Sequence, residues 1–259
     1  MKNVTTKLNR SLMMLRHYRS PFLPILARLG LFHLSYCSYD VNQNGYQYQV
    51  LGRPLGGDQS VLSEVLVKEA YQPILEALPE KPLRVLDIGS HIGSFMVWLG
   101  AHRTIAEGYC FEPDPDSFKL CQFNLAKNPE VEINMSAVGG TSRKSAILID
   151  PVAHARSTIV EDMGRSTNTQ AIEILVLSFA DWMAAHPGTF DLLKMDCEGA
   201  EWEILRTCPE VFPKFSAIAA EIHHDPVDHK TKADFATAMH QLGFRIISNN
   251  DLFFATRRL

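Results

Sequence analysis

The sequence contains few cysteines, no long uncharged apolar run and little net charge. Its 259 residues include five scattered cysteines, none in a Cys-x-x-Cys pair, which favours a reduced, cytoplasmic protein over one held by disulfides. No stretch reaches the ~18 uncharged apolar residues that a membrane span requires. Apolar runs near the start are interrupted by Arg16, Arg19 and two prolines, so we expect no signal peptide.

The charge is unevenly distributed along the chain. The net charge is −4, yet residues 1–39 contain six lysines and arginines and no acid. The remainder is therefore acidic, whereas a protein that coats nucleic acid would be basic throughout, so we expect no nucleic-acid partner. Residues 1–31 are predicted to form a basic helix broken at two prolines. This helix either packs on the main domain or makes a weak surface contact with an anionic membrane, a carrier protein or a nucleotide-linked substrate.

The middle and end of the chain alternate between strand-like and helix-like segments. Predicted strands cover 83–88, 108–111, 131–138, 191–195 and 216–222. Predicted helices cover 94–102, 116–127, 200–207 and 231–242. Short connections of this kind indicate a parallel α/β sheet, and residues 245–256 predict an antiparallel hairpin at its edge. Between these elements, strands are predicted at 145–149 and 172–177, with a long polar loop over 151–171.

The first part of the chain is predicted to form a separate cap. Residues 31–53 alternate like a small β unit with a turn at 42–45, and residues 60–77 predict a helix with Ser60 as its N-cap. We therefore divide the chain into an N-terminal basic segment with a β cap, 1–57, and a main domain, 58–259.

Two motifs predict a site for an adenosine-bearing cofactor. A buried strand ends at Asp87, and a loop with Gly89 and Gly93 leads into a helix whose free N–H groups face the loop. The next strand ends about twenty residues later at Glu112, where a carboxylate can accept both hydroxyls of a ribose. Because His91 replaces the middle glycine of a pyrophosphate-binding loop, S-adenosylmethionine suits this loop better than a dinucleotide.

Two further motifs place acids and a histidine at the ends of later strands. Lys194, Asp196 and Glu198 occupy alternate positions, as do Glu221 and His223. Neighbouring parallel strands end at the same edge of a sheet, so these side chains are expected to meet there. A histidine beside two acids is a candidate general base.

These motifs together resemble the FkbM family of S-adenosylmethionine-dependent methyltransferases. The matching pieces are Asp87-Ile-Gly-Ser-His-Ile-Gly93, Phe111-Glu-Pro-Asp-Pro115, Asn124 to Asn128, Ala137-Val-Gly139, Asp191-Leu-Leu-Lys-Met-Asp-Cys-Glu-Gly-Ala-Glu201 and Glu221-Ile-His223. The resemblance implies a class I methyltransferase fold, a doubly wound sheet of six parallel strands and one antiparallel strand. Many members of the family are assigned to O-methylation of natural products or sugars, which implies a small-molecule hydroxyl acceptor.

Specific roles follow from the resemblance and the motifs. The methionine part of the cofactor is expected to lie in a frame formed by Asp87, Gly89, Ser90, His91 and Gly93. Glu112 is expected to bind the ribose, while Ser136 and Ala137 contact the adenine. His223, oriented by Asp196 or Glu221, is the predicted catalytic base, and Lys194 is counted with this catalytic group. Arg156, Ser157 and Thr158 are expected in a lid over the acceptor.

Three alternatives remain open. Asp196, Glu198, Glu221 and His223 offer ligands for Mg²⁺, which predicts a metal-dependent O-methyltransferase instead. The same fold also serves noncatalytic nucleotide-binding or scaffold proteins. The basic N-terminus is also compatible with a nucleic-acid methyltransferase. The sequence lacks the Asn/Asp-Pro-Pro-aromatic signature of amino-methylating enzymes, however. The sequence also leaves a homodimer open.

Overall fold

The computed structural model describes residues 18, 22, 25–26, 34–55, 57–149, 158–160, 170–249 and 252–257. Most of the predicted basic helix over 1–31 lies outside these residues. The same holds for most of the predicted lid, including the side chains of Arg156, Ser157 and Thr158.

An antiparallel hairpin forms the first well-described part of the chain, as predicted. Strands β1 (Cys37–Gln43) and β2 (Tyr46–Gly52) are joined by a turn in which Asn44 and Gly45 both have positive φ. Alternate side chains face the core, and Tyr39, Val41 and Val50 are almost fully buried. These three belong to the same apolar cluster as residues of the main sheet, so the hairpin packs directly on that sheet.

The prediction of one continuous helix over 60–77 is wrong. The chain instead makes α1 (Asp58–Leu62), one π-helical turn over 63–67 and α2 (Gln72–Leu75). Glu69 has φ 49°, a left-handed conformation that no α-helix continues, and Pro73 can only stand in the first turn of α2. Ser60 is not the N-cap, because the helix already begins at Asp58.

From residue 83 strands and helices alternate. In chain order they are β3 (Leu83–Ile88), α3 (Ser94–His102), β4 (Ile105–Phe111), α4 (Pro115–Asn124), β5 (Val131–Asn134), β6 (Ala137–Gly139), β7 (Arg143–Ile149), β8 (Thr158–Val160), β9 (Gln170–Ser178), α5 (Phe179–Ala185), β10 (Phe190–Met195), α6 (Ala200–Thr207), a 3₁₀ turn (Pro209–Lys214), β11 (Phe215–Ala220), α7 (Lys232–Gln241), β12 (Phe244–Asn249) and β13 (Phe253–Arg257).

The main sheet confirms the predicted fold class. Its seven strands lie in the order β12-β13-β11-β10-β3-β4-β5, and β13 runs antiparallel to the other six. This is the doubly wound arrangement of a class I methyltransferase. The chain order reverses at β3, which pairs with β4 on one side and β10 on the other. Ligands of open α/β sheets bind at the carboxyl end of such a switch point.

Four strands form a second sheet, in the order β6-β9-β7-β8. Its first strand, β6, takes up the end of a segment that the sequence predicts as a single strand of the main sheet. The run 131–138 was predicted as one strand, but the chain turns at Met135 and Ser136. Residues beyond the turn pair with β9, while β5 stays beside β4. The turn therefore lies at the edge of the main sheet where the site is expected.

The main sheet is covered on both faces by apolar side chains. One cluster joins the hairpin and α3 to the sheet through residues such as Trp98, and the other lies under α6 and α7 around Trp202 and Phe235. Fully burying a large apolar side chain contributes about 1.5–3 kcal/mol, so these layers dominate stability. No helix of the described ranges is long and apolar enough to cross a membrane.

Gly89 is expected to tolerate no side chain. It has φ 78°, and a Cβ there would overlap the backbone carbonyl of Asp196, which has little freedom to move. Gly45 has a similar φ of 87° but open space around the added atom. Gly45→Ala is therefore expected to cost about 1 kcal/mol, the conformational penalty alone, and Gly89→Ala about 4 kcal/mol or more. Urea unfolding measures both, and equal losses would contradict the close approach of the two loops.

Candidate active site

A cavity opens at the carboxyl edge of the main sheet, beside the switch point. Its empty volume is about 830 Å³ including the open mouth. The predicted site residues that line it are Gly89, Ser90, His91, Glu112, Ala137, Lys194, Asp196 and Glu198. The lining does not include Asp87, Gly93, Ser136, Glu221 or His223. The structure thus gathers most of the predicted residues in one place and puts the others around it.

The glycine loop forms one wall of the cavity. Gly89, His91 and Gly93 all have positive φ, which lets the chain turn between β3 and α3. The backbone N–H groups of Gly89 and Ser90 donate to the carbonyl of Phe111, at 2.9 and 3.0 Å, and fix the loop to the end of β4. Gly93 precedes α3, so free N–H groups of that helix face the loop.

Glu112 lies next to this loop and is almost fully buried. Its Oε2 accepts from the N–H of His91 and its Oε1 from the N–H of Asp114, both at 2.8 Å. Burial raises the pKa of Glu112 to about 6, while the charge of His91 and the two N–H groups oppose that rise. Each carboxylate oxygen keeps a lone pair free, which suits a vicinal diol.

The adenine end predicted from the sequence also contains unused polar groups. Ser136 is buried, and its hydroxyl has no hydrogen-bond partner among the described residues, nor has the side-chain nitrogen of Asn134. Ala137 lines the cavity directly after them. Buried polar atoms without partners are uncommon, but neither Ser136 nor Asn134 lines the cavity, so Ala137 alone of the predicted adenine contacts borders it.

Lys194 and Asp87 form a buried ion pair behind the loop. The Nζ of Lys194 lies 3.0 Å from Oδ1 of Asp87 and donates to the carbonyl of Gly89 at 2.6 Å. Burial alone would lower the pKa of Lys194, but the charges of Asp87 and Asp196 outweigh it and raise that pKa. The raised pKa favours the protonated form of Lys194, whose ammonium group ties the glycine loop to β10.

The chain turns sharply after β10 and β11, where the predicted alternation ends. β10 ends at Met195, and Glu198 has φ 53°, so Asp196 and Glu198 converge through a turn rather than along one strand. β11 likewise ends before Glu221, whose N–H donates to the carbonyl of Met195 at 2.9 Å. The two turns lie side by side as a result.

Four carboxylates surround the imidazole of His223. Its Nδ1 lies 3.2 Å from Oε1 of Glu201, and its Nε2 lies 3.6 Å from Glu198, 3.8 Å from Asp196 and 3.9 Å from Glu221. Burial would lower the pKa of His223, but Glu201 and the other acids raise it to about 9. His223 is thus charged near pH 7.

Glu201 is the residue of this group that the sequence interpretation missed. It is fully buried, and its carboxylate accepts from the N–H groups of Cys197 and Gly199 at 2.8 and 2.9 Å. An acid in the first turn of α6 also interacts favourably with the helix dipole. The signal that could have found it is the short spacing from Gly199, which lets a carboxylate close the turn.

Among the acids around His223, Glu198 has a pKa close to neutral pH. Burial raises the pKa of Glu198 to about 7, Asp196 and Glu221 add to the rise, and His223 opposes it. A left-handed φ is costly for a residue with a side chain, and such strain gathers at functional sites. Glu198 therefore combines strain, access to the cavity and a pKa suited to proton transfer.

One group of described residues has the spacing of a metal site. Ligand atoms of Asp196, Glu221 and His223 all lie within 4.8 Å of one another. Glu198, the fourth predicted ligand, is not in this group. Asp225 continues the alternation of Glu221 and His223 in the sequence, but it pairs with Arg206 at 2.9 Å instead.

The family model for the methyltransferase FkbM domain matches residues 87–246, more than half of the chain. This chain belongs to the FkbM methyltransferase family. The match begins at the buried aspartate of the ion pair and covers the glycine loop, Glu112 and the acidic cluster around His223. No curated protein matches the sequence significantly.

Solved structures similar to this FkbM methyltransferase are distant. Methyltransferase FkbM from Methylobacillus flagellatus KT is 14% identical over 68% of this chain, with a TM-score of 0.46, and this chain spans 43% of that protein. The T. Thermophilus 16S rRNA N2 G1207 methyltransferase, solved with AdoMet and guanosine, is 13% identical over 87% of this chain and 52% of its own, with a TM-score of 0.45. A protein of the NADB-Rossmann superfamily from Streptococcus agalactiae is 10% identical over 72% and 66%, with a TM-score of 0.42.

The high pKa of His223 is open to direct measurement. In metal-free buffer with EDTA, NMR titration of the imidazole is expected to give a pKa of about 9. Because this folded value lies above the unfolded one, protonation stabilises the fold below about pH 6.5, and that stability is lost as the pH rises through 9.

Glu201→Gln should lower the pKa of His223, since it removes the nearest negative charge. Glu203→Gln on the same helix, whose carboxylate pairs with Arg143, should leave it unchanged. A wild-type pKa near 6.5 would show that the carboxylates do not act on His223 as a group.

Proposed function

We propose that this protein is an S-adenosylmethionine-dependent enzyme that methylates a hydroxyl group of a small molecule. The observation that carries the proposal is Glu112, a buried carboxylate held by two backbone N–H groups beside a glycine loop in one cavity. The acidic turns at the far wall support the same proposal, because Asp196 and Glu198 line the cavity there. S-adenosylmethionine, when bound, supplies a methyl group on a positively charged sulfur.

The residues of the cavity divide into two roles in this proposal. Gly89, Ser90 and His91 would bind the methionine end, Glu112 the ribose and Ala137 the adenine. The far wall carries Asp196 and Glu198, and their negative charge favours a cation there. A hydroxyl acceptor would approach from this acidic side and must lose its proton during methyl transfer.

Glu198 is better placed than His223 to take that proton. His223 was the base expected from the sequence, but a pKa of about 9 keeps it protonated near pH 7. Glu198 lines the cavity, and its pKa of about 7 leaves much of it ionised at the same pH. The charged His223 beside it would stabilise the ionised form.

A metal-dependent reaction is the second candidate, favoured by the spacing of Asp196, Glu221 and His223. Glu201 engages Nδ1 of His223 and so leaves Nε2 directed at the other two ligands. Such a carboxylate–histidine arrangement is typical of metal sites. A divalent cation there would take the place of the proton on Nε2.

Loss of Glu112 is expected to weaken cofactor binding. Glu112→Ala removes charge-assisted hydrogen bonds to the ribose and should cost about 1.5–3 kcal/mol of binding free energy. Isothermal titration calorimetry with S-adenosylmethionine measures this, and Glu107→Ala, on β4 but outside the cavity lining, is the control. Unchanged affinity in Glu112→Ala would remove the cofactor assignment.

The same affinity is expected to depend on pH. Because the free carboxyl of Glu112 has a pKa of about 6 and ribose binding needs its ionised form, affinity should fall as the pH drops below 6. The expected loss is about tenfold for each pH unit below that value. Glu112→Ala should lack this dependence.

The metal alternative gives a separate result. If Asp196, Glu221 and His223 hold a cation, millimolar Mg²⁺ or Mn²⁺ should raise the melting temperature, and EDTA should reverse the rise. Glu221→Gln should abolish this effect, whereas Glu132→Gln, on β5, should not. Equal responses of both variants would exclude the cluster as the binding site.

A further inference from the structure

A buried polar network links the N-terminal hairpin to the glycine loop. Arg53 follows β2 and is 7% exposed, and Asp58 begins α1 with no exposed surface. Their side chains form a salt bridge at 3.0 Å, and Oδ2 of Asp58 also accepts from the backbone N–H of Arg53 at 2.7 Å. Two buried charges joined this closely can persist only if their other polar atoms find partners.

The first partner is the ring of His91, in the middle of the glycine loop. Its Nε2 lies 3.2 Å from Oδ1 of Asp58 and 3.1 Å from Nη2 of Arg53. The pKa of Asp58 is lowered to about 2: burial would raise it, but the hydrogen bond and charge of His91 and those of Arg53 more than offset this. The network thus holds a residue whose φ of 51° is costly outside glycine.

The second partner is the beginning of α4. Nη2 of Arg53 donates to Oγ of Ser117 at 2.9 Å, and Nη1 lies 3.6 Å from Oδ2 of Asp114. Asp114 is the N-cap of α4 and accepts from the N–H of Asp116. Arg53 therefore reaches both segments that follow β3 and β4.

These two segments are the ones that hold Glu112. The N–H groups that bind its carboxylate belong to His91 and Asp114. Asn124 adds a further tie, since its side chain bonds the backbone of Leu51 in the hairpin and the carbonyl of Ile92 in the loop. The direction in which Glu112 faces the cavity thus depends on groups contributed from outside the family match.

We propose that Arg53 and Asp58 are positioning residues of the cofactor site, which hold Glu112 in its binding orientation through His91 and Asp114. Neither residue lines the cavity, so we expect neither to contact the cofactor itself. The inference rests on the proposed function, because it assigns to Glu112 the binding of a ribose. The hairpin is then a working part of the cofactor site and not only a cover for the sheet.

The test is calorimetric titration of S-adenosylhomocysteine into the full chain and five variants of it. Asp58→Asn keeps the shape of the side chain but removes its charge, and should weaken binding about tenfold. If Asp58 acts through Glu112, Asp58→Asn should weaken binding less than about twofold further in a Glu112→Ala background. Equal losses in both backgrounds would overturn the inference.

Asp191→Asn is the matched control for a merely structural effect. Like Asp58, Asp191 is a buried aspartate with a cationic partner, in this case Lys81 at 2.9 Å. It lies at the edge of the sheet opposite the cavity. Both aspartate variants should lower the melting temperature, and only Asp58→Asn should change affinity. An affinity for Asp58→Asn that equals that of Asp191→Asn overturns the inference.

Arg53→Lys decides the question if Asp58→Asn does not fold. It keeps the positive charge beside Asp58 and Asp114 but loses the planar fork that reaches Ser117 at the same time. Binding should weaken about threefold or more, and unchanged affinity overturns the inference. A wild-type chain that fails to bind S-adenosylhomocysteine or S-adenosylmethionine would instead refute the proposed function, and this inference with it.

Discussion

The ion pair between Lys194 and Asp87 is the contact on which the structure of the site at the carboxyl edge of the main sheet depends. The two residues are direct partners in the register of β10 and β3, the strands that flank the switch point. Burying one charge alone costs several kcal/mol, and each side chain offsets that cost for the other. Because Lys194 also binds the carbonyl of Gly89, the pair sets the start of the glycine loop as well as the spacing of the strands. Loss of either partner would leave a buried charge next to the cavity.

A surplus of negative charge distinguishes the opposite wall. Asp196, Glu198, Glu201 and Glu221 all face one imidazole, which takes up a proton more strongly than an isolated histidine for that reason. The same surplus attracts any cation that reaches this end of the cavity, whether a proton, a divalent ion or the charged sulfur of the proposed cofactor. The glycine-loop wall presents backbone groups and the single carboxylate of Glu112, so most of the negative charge lies on the opposite side of the cavity.

The fold could be predicted from the sequence because its main determinants are local. Alternating apolar runs and helices specify a parallel sheet, and the acids at the strand ends reveal its functional edge. The errors arise where distant contacts decide the backbone. Asp58 begins α1 two residues before Ser60, held by Arg53, and the strand predicted over 131–138 divides because β9 offers a second partner. Arg53 itself had no local signal, since two of its partners lie 38 and 64 positions further along the chain.

The same contacts account for a histidine, His91, at a position of the glycine loop that requires a left-handed backbone conformation. Histidine tolerates this conformation better than most residues, but it still needs partners for its ring. Arg53 and Asp58 supply them for Nε2. The two residues lie on opposite sides of residue 57, where the predicted strands and helix suggest a division between cap and main domain. That division stays a prediction about folding units. Asp58 without Arg53 would be a buried carboxylate with one cationic partner fewer, so we expect loss of the hairpin to destabilise the start of α1 and the glycine loop.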